Sequence, residues 1–231
     1  LWGRPFYILR EAWNILNAIA EGKIESGDEK KLNALKGETM AVIALCQFDL
    51  TRCFGYPYTK DKGASLGAPL IDHLVGTYEN PPRSTVAQAY DFIIETLEEA
   101  VTLMSEEKNN GRMNKYAARA LLARIYLYHD DNRKAFDLAD QLIKDADTSG
   151  SYALYPHEKY VAAWSVEAKF GSESFFEIAN SVDDTPGRDS WGYLLNWYGY
   201  QKGFVTQKYA EQMLADPGDV RGQLLEENKY A

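Results

Sequence analysis

Residues 115–143, KYAARALLARIYLYHDDNRKAFDLADQLI, repeat alanine at helical spacing on both sides of a short polar stretch. The alanines that lie three or four residues apart are Ala117, Ala120, Ala123, Ala135 and Ala139. Small side chains at this spacing let two helices approach each other closely. The polar stretch, residues 130–132, is Asp-Asp-Asn and is typical of a tight turn, so the second helix must fold back antiparallel to the first. These residues therefore predict a helical hairpin.

The hairpin has the residue order of a tetratricopeptide repeat. A large residue, a small residue, a tyrosine and an alanine occur at the spacing of that repeat, at Leu122, Ala123, Tyr126 and Ala135. A single hairpin of this kind cannot bury its faces alone, and such repeats stack on one another. GETMAVIALCQFDLTRCFG, residues 37–55, resembles another first helix, and STVAQAYDFIIETLEEAV, residues 84–101, resembles another second helix. A long loop, residues 56–83, separates them and interrupts the repeat.

The composition changes near residue 150, and we expect two parts. Residues 1–150 form the helical part, and residues 151–231 form a loop-rich, irregular part that packs on it within one domain. The first predicted helix ends near Gly22 and has an apolar stripe at Ile8, Trp13, Ile15, Leu16 and Ile19. A second helix runs from about Lys30 to Phe54, and a third starts at the capping pair Thr85 and Gln88. The hairpin, a strand or extended segment at 173–180 and a short helix at about 206–215 follow. The predicted fold class is mostly α.

The charge excludes some partners. The chain has 231 residues and a net charge of −9, which repels the phosphates of nucleic acids and acidic membrane surfaces. Neutral ligands such as sugars carry no such penalty. We therefore expect no nucleic-acid partner.

The two cysteines, Cys46 and Cys53, lie seven residues apart in a predicted helix. A helix rises about 1.5 Å per residue, so the two residues are roughly 10 Å apart, which is beyond the reach of a disulfide. We expect both to be free, buried thiols.

Several catalytic and metal-binding motifs are missing from the sequence. Among them are HExxH, the P-loop and GxGxxG. The three histidines, His73, His129 and His157, occur singly, so structural or surface roles are expected for them. The acidic residues Asp183, Asp184 and Asp189 lie in a predicted loop, where they could contact a sugar hydroxyl or a cation or simply face solvent. We expect no enzyme, no cofactor and no metal site.

One aromatic cluster is unusual. Within ten residues the sequence places Trp191, Tyr193, Trp197, Tyr198 and Tyr200, interleaved with glycines. Glycine weakens both helix and strand, so these rings either project from a loop as a ligand platform or pack against the helices. The nearest polar side chains that could bind sugar hydroxyls are Asn196, Asp189 and Arg188.

The order of these motifs resembles the SusD/RagB family. The resemblance is carried by GETMAVIALCQFDLTRCFGYPY, STVAQAYDFIIETLEEAVTLM, GRMNKYAARALLARIYLYHDDNRKAFDLADQLI, YALYPHEKYVAAWS, SESFFEIAN and DPGDVR, in this order. It implies an α-α superhelix and a protein that is lipid-anchored on the extracellular face of the outer membrane in Bacteroidetes-type bacteria. It also implies that the protein binds glycans or other nutrients, caps a TonB-dependent (SusC-like) transporter and does not catalyse a reaction.

The resemblance also indicates a fragment. Family members are considerably longer, and their lipidated N-terminal cysteine, the loop upstream of the first helix and the closing helices do not occur in this chain, so the membrane contact through a lipid anchor is expected outside it. Two other functions stay open. One is a tetratricopeptide-type scaffold that binds a protein partner through its concave face, which would have regular, uninterrupted repeats. The other is an α/α-toroid glycoside hydrolase, which would release reducing ends from a glycan.

Overall fold

A computed structural model describes residues 2–24, 26–164, 169–178, 180–181, 183–196 and 198–225. The chain divides into two compact units, Leu1–Tyr152 and Ala153–Ala231. The elements of the first unit are α1 (Gly3–Ala20), α2 (Glu29–Phe54), β1 (Leu66–Pro69), β2 (Arg83–Thr85), α3 (Val86–Leu103), α4 (Lys115–Tyr128) and α5 (Asn132–Ser149). Those of the second unit are α6 (Trp191–Leu195) and α7 (Gln207–Leu214), with short 3₁₀ turns before α6 and after α7.

Three helices of the first unit, α2, α3 and α4, begin at polar side-chain caps. The Asp28 carboxylate accepts from the Lys31 amide at the start of α2, and Asn114 accepts from the Ala117 amide at the start of α4. Thr85 and Gln88 form the predicted reciprocal capping box at the start of α3. These side chains satisfy amides that have no partner within the helix, and they fix the helix boundaries within about a residue of those expected.

The α4–α5 pair confirms the predicted hairpin. Its turn places Asp130 at φ 70°, and the Asp131 amide donates to the Tyr126 carbonyl at 2.9 Å. The small residues predicted at the crossing are buried, with Ala123 9% exposed and Ala135 8% exposed. The Tyr126 hydroxyl donates to the Glu98 carboxylate on α3 in a short hydrogen bond, and burial raises the pKa of the phenol. The fold is mostly α, with tetratricopeptide-like hairpins, as expected.

A glycine sets the close approach of α2 and α3. A Cβ atom added at Gly37 would lie 2.8 Å from Met104 Cγ and 2.9 Å from the Ala100 carbonyl oxygen. A glycine in the middle of a helix costs roughly 0.5–1 kcal/mol relative to alanine. Here the absence of a side chain permits the contact between the two helices, as the alanines do in the hairpin.

The long loop between α2 and α3 is folded and anchored. Its two short strands, β1 and β2, pair antiparallel. Gln47 of α2 is fully buried, donates from Nε2 to the Pro69 carbonyl at 3.1 Å and accepts at Oε1 from the Ile71 amide at 3.3 Å. The Trp13 indole of α1 donates to the Ile71 carbonyl at 3.1 Å. Residues 69–71 are therefore fixed to both α1 and α2.

The buried face of α1 differs from the predicted stripe. Ile8 is 42% exposed and Ile15 is 38% exposed, whereas Leu9 and Ala12 are buried against Ile43 and other residues of α2. The stripe was wrong for these two isoleucines because large apolar residues lie on two faces of this helix. The smaller face, with an alanine, is the one that fits against α2.

A strand or an extended segment is expected at 173–180, and the strand is wrong for the described residues of that segment. Apart from a turn at Glu173 and a bend at Phe175 they have no regular structure, and carboxylates satisfy the nearby backbone amides. Glu173 accepts from the Tyr155 amide at 2.5 Å, and Glu177 accepts from the amides of Phe170 and Gly171 at 2.9 and 3.2 Å. Glu173 and Glu177, four residues apart, thus hold loops in place, and Ala179 lies outside the described residues. The short helix expected at 206–215 is present as α7.

Both cysteines are free, as predicted, but only one is buried. Cys46 is 8% exposed and Cys53, in the last turn of α2, is exposed. The expected burial of Cys53 was wrong because α2 leaves this side of its last turn open to solvent.

We expect Ala123→Leu to lower the free energy of unfolding by about 1–3 kcal/mol, because the extra methyl groups overpack the α4–α5 crossing. Urea unfolding followed by circular dichroism measures the change. Arg124→Leu, at the next and exposed position of α4, is the matched control and should change stability by less than about 0.5 kcal/mol. An unchanged midpoint for Ala123→Leu contradicts the packing described at the crossing.

We expect Gln47→Leu to destabilise the first unit, because it leaves the half-buried Pro69 carbonyl and the buried Ile71 amide without their Gln47 partner. Each unsatisfied group costs about 1–3 kcal/mol. Chemical unfolding measures the loss, and Gln141→Leu, the same substitution at an exposed position of α5, is the control. Equal stability of the two variants would show that the Gln47 bridge does not anchor the loop.

We expect one thiol to react in the folded chain. Burial, with a smaller contribution from Asp49, raises the pKa of the Cys46 thiol to about 11, so it is neutral near neutral pH and inaccessible, whereas Cys53 is exposed. A colorimetric thiol reagent should therefore titrate one group in the native chain and both in denaturant. Cys53→Ser should abolish the native reaction, and a native reaction that survives in this variant would contradict the burial of Cys46.

Candidate functional site

The aromatic cluster of the second unit begins at α6. Ser190 caps this helix by accepting from the Tyr193 amide at 3.1 Å, and a 3₁₀ turn, Gly187–Asp189, precedes it directly. The turn and the start of the helix place Arg188, Asp189 and Trp191 within four residues, and all three are exposed. The Trp191 ring is 77% exposed. An indole so open to solvent is available to a ligand.

Tyr193 is the centre of the rest of the cluster. Its ring meets those of Tyr198 and Tyr200 edge to face, with centroids 6.4 and 5.2 Å away. Its carbonyl accepts from the Tyr200 amide at 2.9 Å. A Cβ atom at Gly199 would lie 1.8 Å from that carbonyl oxygen, so only glycine allows the chain to fold back here.

The structure distributes the predicted site residues over this segment. Arg188, Asp189 and Trp191 lie at its exposed start, while Tyr193 is half-buried within the fold-back. Asn196 ends α6, and its side-chain oxygen accepts from the Tyr198 amide at 3.4 Å. The two remaining predicted site residues are Tyr198, which is 61% exposed, and Trp197, which lies outside the described residues.

A second feature, in the first unit, was not predicted. A cleft of about 580 Å³ lies between the start of α1 and the loop 69–81. We call it the α1 cleft. The aromatic and polar side chains that line it are those of Trp2, Phe6, Arg10, His73, Thr77 and Asn80. Three of them, at positions 2, 6 and 10, recur every four residues and share a face of α1. That spacing is visible in the sequence, but the loop that faces it is brought there by contacts between residues distant in sequence. These are the Gln47 and Trp13 hydrogen bonds and the packing of Ile71 in the core.

His73 on the rim of the α1 cleft lies between two carboxylates. Its Nδ1 is 2.6 Å from Asp72 Oδ1, and its Nε2 is 2.7 Å from Glu79 Oε1. The hydrogen bonds to Asp72 and Glu79 raise the pKa of His73. The Gly76 amide, and then His73, lower the pKa of Glu79. The loop from 72 to 79 is therefore closed by an ion pair when His73 is protonated.

The other two histidines contact aromatic rings or a backbone carbonyl. The His129 ring lies 4.2 Å from the Tyr58 ring and 5.5 Å from the Tyr90 ring, within unit Leu1–Tyr152. His157 lies 2.9 Å from the Gly218 carbonyl oxygen through its Nε2. In the parts of the chain that the structure describes, no group of three or more histidine, cysteine, aspartate or glutamate side chains is arranged to hold a metal ion.

Comparison with known proteins places the fold. A SusD-like family model, described as starch-binding and associating with the outer membrane, matches residues 1–127. A putative sugar binding protein from Bacteroides vulgatus is 37% identical, with a TM-score of 0.89 over 99% of this chain and 51% of that one. A SusD superfamily protein from Bacteroides thetaiotaomicron is 34% identical, with a TM-score of 0.87 over 99% of this chain and 50% of that one. No curated protein matches.

More distant structures share the fold alone. A laminarin binding SusD-like protein is 23% identical, with a TM-score of 0.62 over 83% of this chain and 39% of that one. The chain spans about half the length of the two more similar structures. Since the family model matches more than half of the chain and both of those relatives are similar over nearly all of it, the chain belongs to the SusD-like family.

Proposed function

We propose that the protein captures oligosaccharides, or another nutrient, on the extracellular face of the outer membrane for import through a TonB-dependent, SusC-like transporter. The family is described as starch-binding and outer-membrane-associated, and a relative at 37% identity is named a putative sugar binding protein. The protein acts without catalysis and reaches the membrane through a lipid anchor. No helix of the described chain is both long enough and apolar enough to span a membrane.

The observation that carries this proposal is the exposed indole of Trp191. A pyranose ring presents a face of C–H groups that packs on a flat aromatic ring, and neighbouring polar groups then fix its hydroxyls. Trp191 is 77% exposed and lies two residues after Asp189 and three after Arg188. The proposed ligand-binding residues are Arg188, Asp189, Trp191, Tyr193, Asn196, Trp197 and Tyr198.

The glycine in the fold-back supports this assignment. Gly199 allows the backbone to pass close to the Tyr193 carbonyl, which keeps Tyr198 at the surface while Tyr193 is half-buried. A ring held by such a turn loses little conformational freedom when a ligand stacks on it, which favours binding. The net charge of −9 favours a neutral ligand over an anionic one.

A second candidate function is a scaffold for a protein partner. Leu127, Phe136 and Ile143 on the α4–α5 hairpin are 57%, 63% and 63% exposed. Exposed apolar side chains on one hairpin are a feature of surfaces that bind other proteins. If this function is the correct one, substitution of Phe136 weakens partner binding and leaves sugar binding unchanged.

We expect Trp191→Ala to weaken oligosaccharide binding by about 2 kcal/mol, the scale of a lost aromatic anchor. Since the ring is mostly exposed, stability should fall by less than the roughly 3–5 kcal/mol that removal of a core tryptophan costs. Calorimetry against a panel of glucans, xylans and mannans, beside a thermal melt, measures both quantities.

Trp164→Ala is the matched control, because Trp164 is 67% exposed in the same unit but lies outside the aromatic segment. It should leave the affinity unchanged. If Trp191→Ala instead lowers the melting temperature strongly while affinity per folded molecule is kept, the ring serves packing and the site lies elsewhere.

A further inference from the structure

We propose that the α1 cleft is a second ligand-binding site, for a neutral sugar ring, and that the ion pair of His73 with Asp72 and Glu79 holds the loop wall of this site in place. The proposal shares only the class of ligand with the function above. It concerns residues of the first unit and does not depend on the aromatic segment.

The shape and lining of the cleft fit a sugar. Its volume of about 580 Å³ lies within the range of roughly 300–1,000 Å³ for small-molecule sites. One wall carries aromatic rings, since Trp2 packs against Phe6 at 5.0 Å and against Phe54 at 4.6 Å between centroids. The other wall offers the Asn80 amide and the Thr77 hydroxyl, which can donate to and accept from sugar hydroxyls.

The charges of the cleft favour a neutral ligand. Arg10 is bound to the Glu11 carboxylate, with Nη2 2.9 Å from Oε1, and His73 has carboxylates at both ring nitrogens. Both cationic side chains of the lining therefore already have anionic partners. An acidic sugar would have to compete with these carboxylates, whereas a neutral sugar needs only hydrogen bonds at the rim.

The His73 ion pair determines where the rim lies. Glu79 accepts from the Gly76 amide at 3.0 Å through one oxygen and meets His73 through the other, and the Glu79 amide donates to the Gly76 carbonyl at 3.1 Å. The residues between His73 and Glu79 include Val75 and Thr77, which line the cleft. Protonated His73 donates to both carboxylates, but neutral His73 can donate to only one of them.

The sign of the pH dependence follows from this geometry. The groups that face His73 are Asp72 and Glu79 on its own loop, and Arg10 of α1 lines the same cleft. The two carboxylates raise the pKa of His73 above its ordinary value, which is about 6.5. The ion pair is thus complete below that value and is lost as the pH rises through the raised pKa, so binding in the α1 cleft should be tighter in acid.

Fluorine NMR of the whole chain labelled with 5-fluorotryptophan tests the proposal, since the five tryptophans give separate signals that Trp→Phe variants assign. Titration with neutral α-glucan, β-glucan, xylan and mannan oligosaccharides should shift the Trp2 signal at about pH 6 and should bind several-fold more weakly at about pH 9. Asn80→Ala should weaken the Trp2 response by about two- to tenfold, the effect of one lost hydrogen bond.

His73→Gln should remove the difference between the two pH values, because glutamine does not titrate, while His157→Gln in the second unit should keep it. A Trp2 signal that no sugar of the panel moves overturns the proposal, even if Trp191 responds and the proposed function stands. A shift of Trp2 alone supports the α1 cleft and counts against the aromatic segment. A pH difference that persists in His73→Gln overturns the role of the ion pair.

Discussion

The buried amide of Gln47 holds together the part of the molecule on which the first unit depends. A fully buried amide in a helix has to find partners, and its two hydrogen bonds go to the backbone at Pro69 and Ile71. These bonds fix the long loop that interrupts the repeat, and the fixed loop forms one wall of the α1 cleft. Since the Trp13 indole bonds the same stretch from α1, three segments distant in sequence are fixed at one point, and the α1 cleft exists because of it.

In the second unit, charged side chains rather than a buried amide hold the loops by hydrogen bonds to the backbone. It has few regular elements among its described residues, so backbone amides need partners other than a helix or a sheet. Glu173 and Glu177 supply them at Tyr155, Phe170 and Gly171. These carboxylates hold SESFFEI, a motif of the family resemblance, in place although it forms no strand. Loops held in this way can present the aromatic segment without a helical core of their own.

The sequence predicts the hairpin well because its determinants are local. The alanines, the polar turn and the capping box each specify structure within a few residues, and the SusD-like fold follows from their order. The buried face of α1 was misjudged, because Ile8 and Leu9 are equally apolar and only the partner helix selects between them. The α1 cleft could not be predicted, since it joins α1 to a loop about sixty residues later through side-chain hydrogen bonds. The half-buried position of Tyr193 also depends on how the chain folds back at Gly199, which glycine permits but does not specify.

The anchoring of residues 69–71 also sets the timescale on which this loop opens. An amide in a surface loop ordinarily exchanges its hydrogen with solvent through small local fluctuations. The Ile71 amide instead donates to a side chain that is fully buried in α2, so its exchange requires the core of the first unit to open. The Ile71 amide, although it lies in the loop between α2 and α3, should therefore exchange its hydrogen about as slowly as the amides of the helices. The wall of the α1 cleft therefore has a base at Ile71 that moves only when the core opens, and a rim, residues 72–79, that is held by the His73 ion pair and by the packing of Val75 against the core.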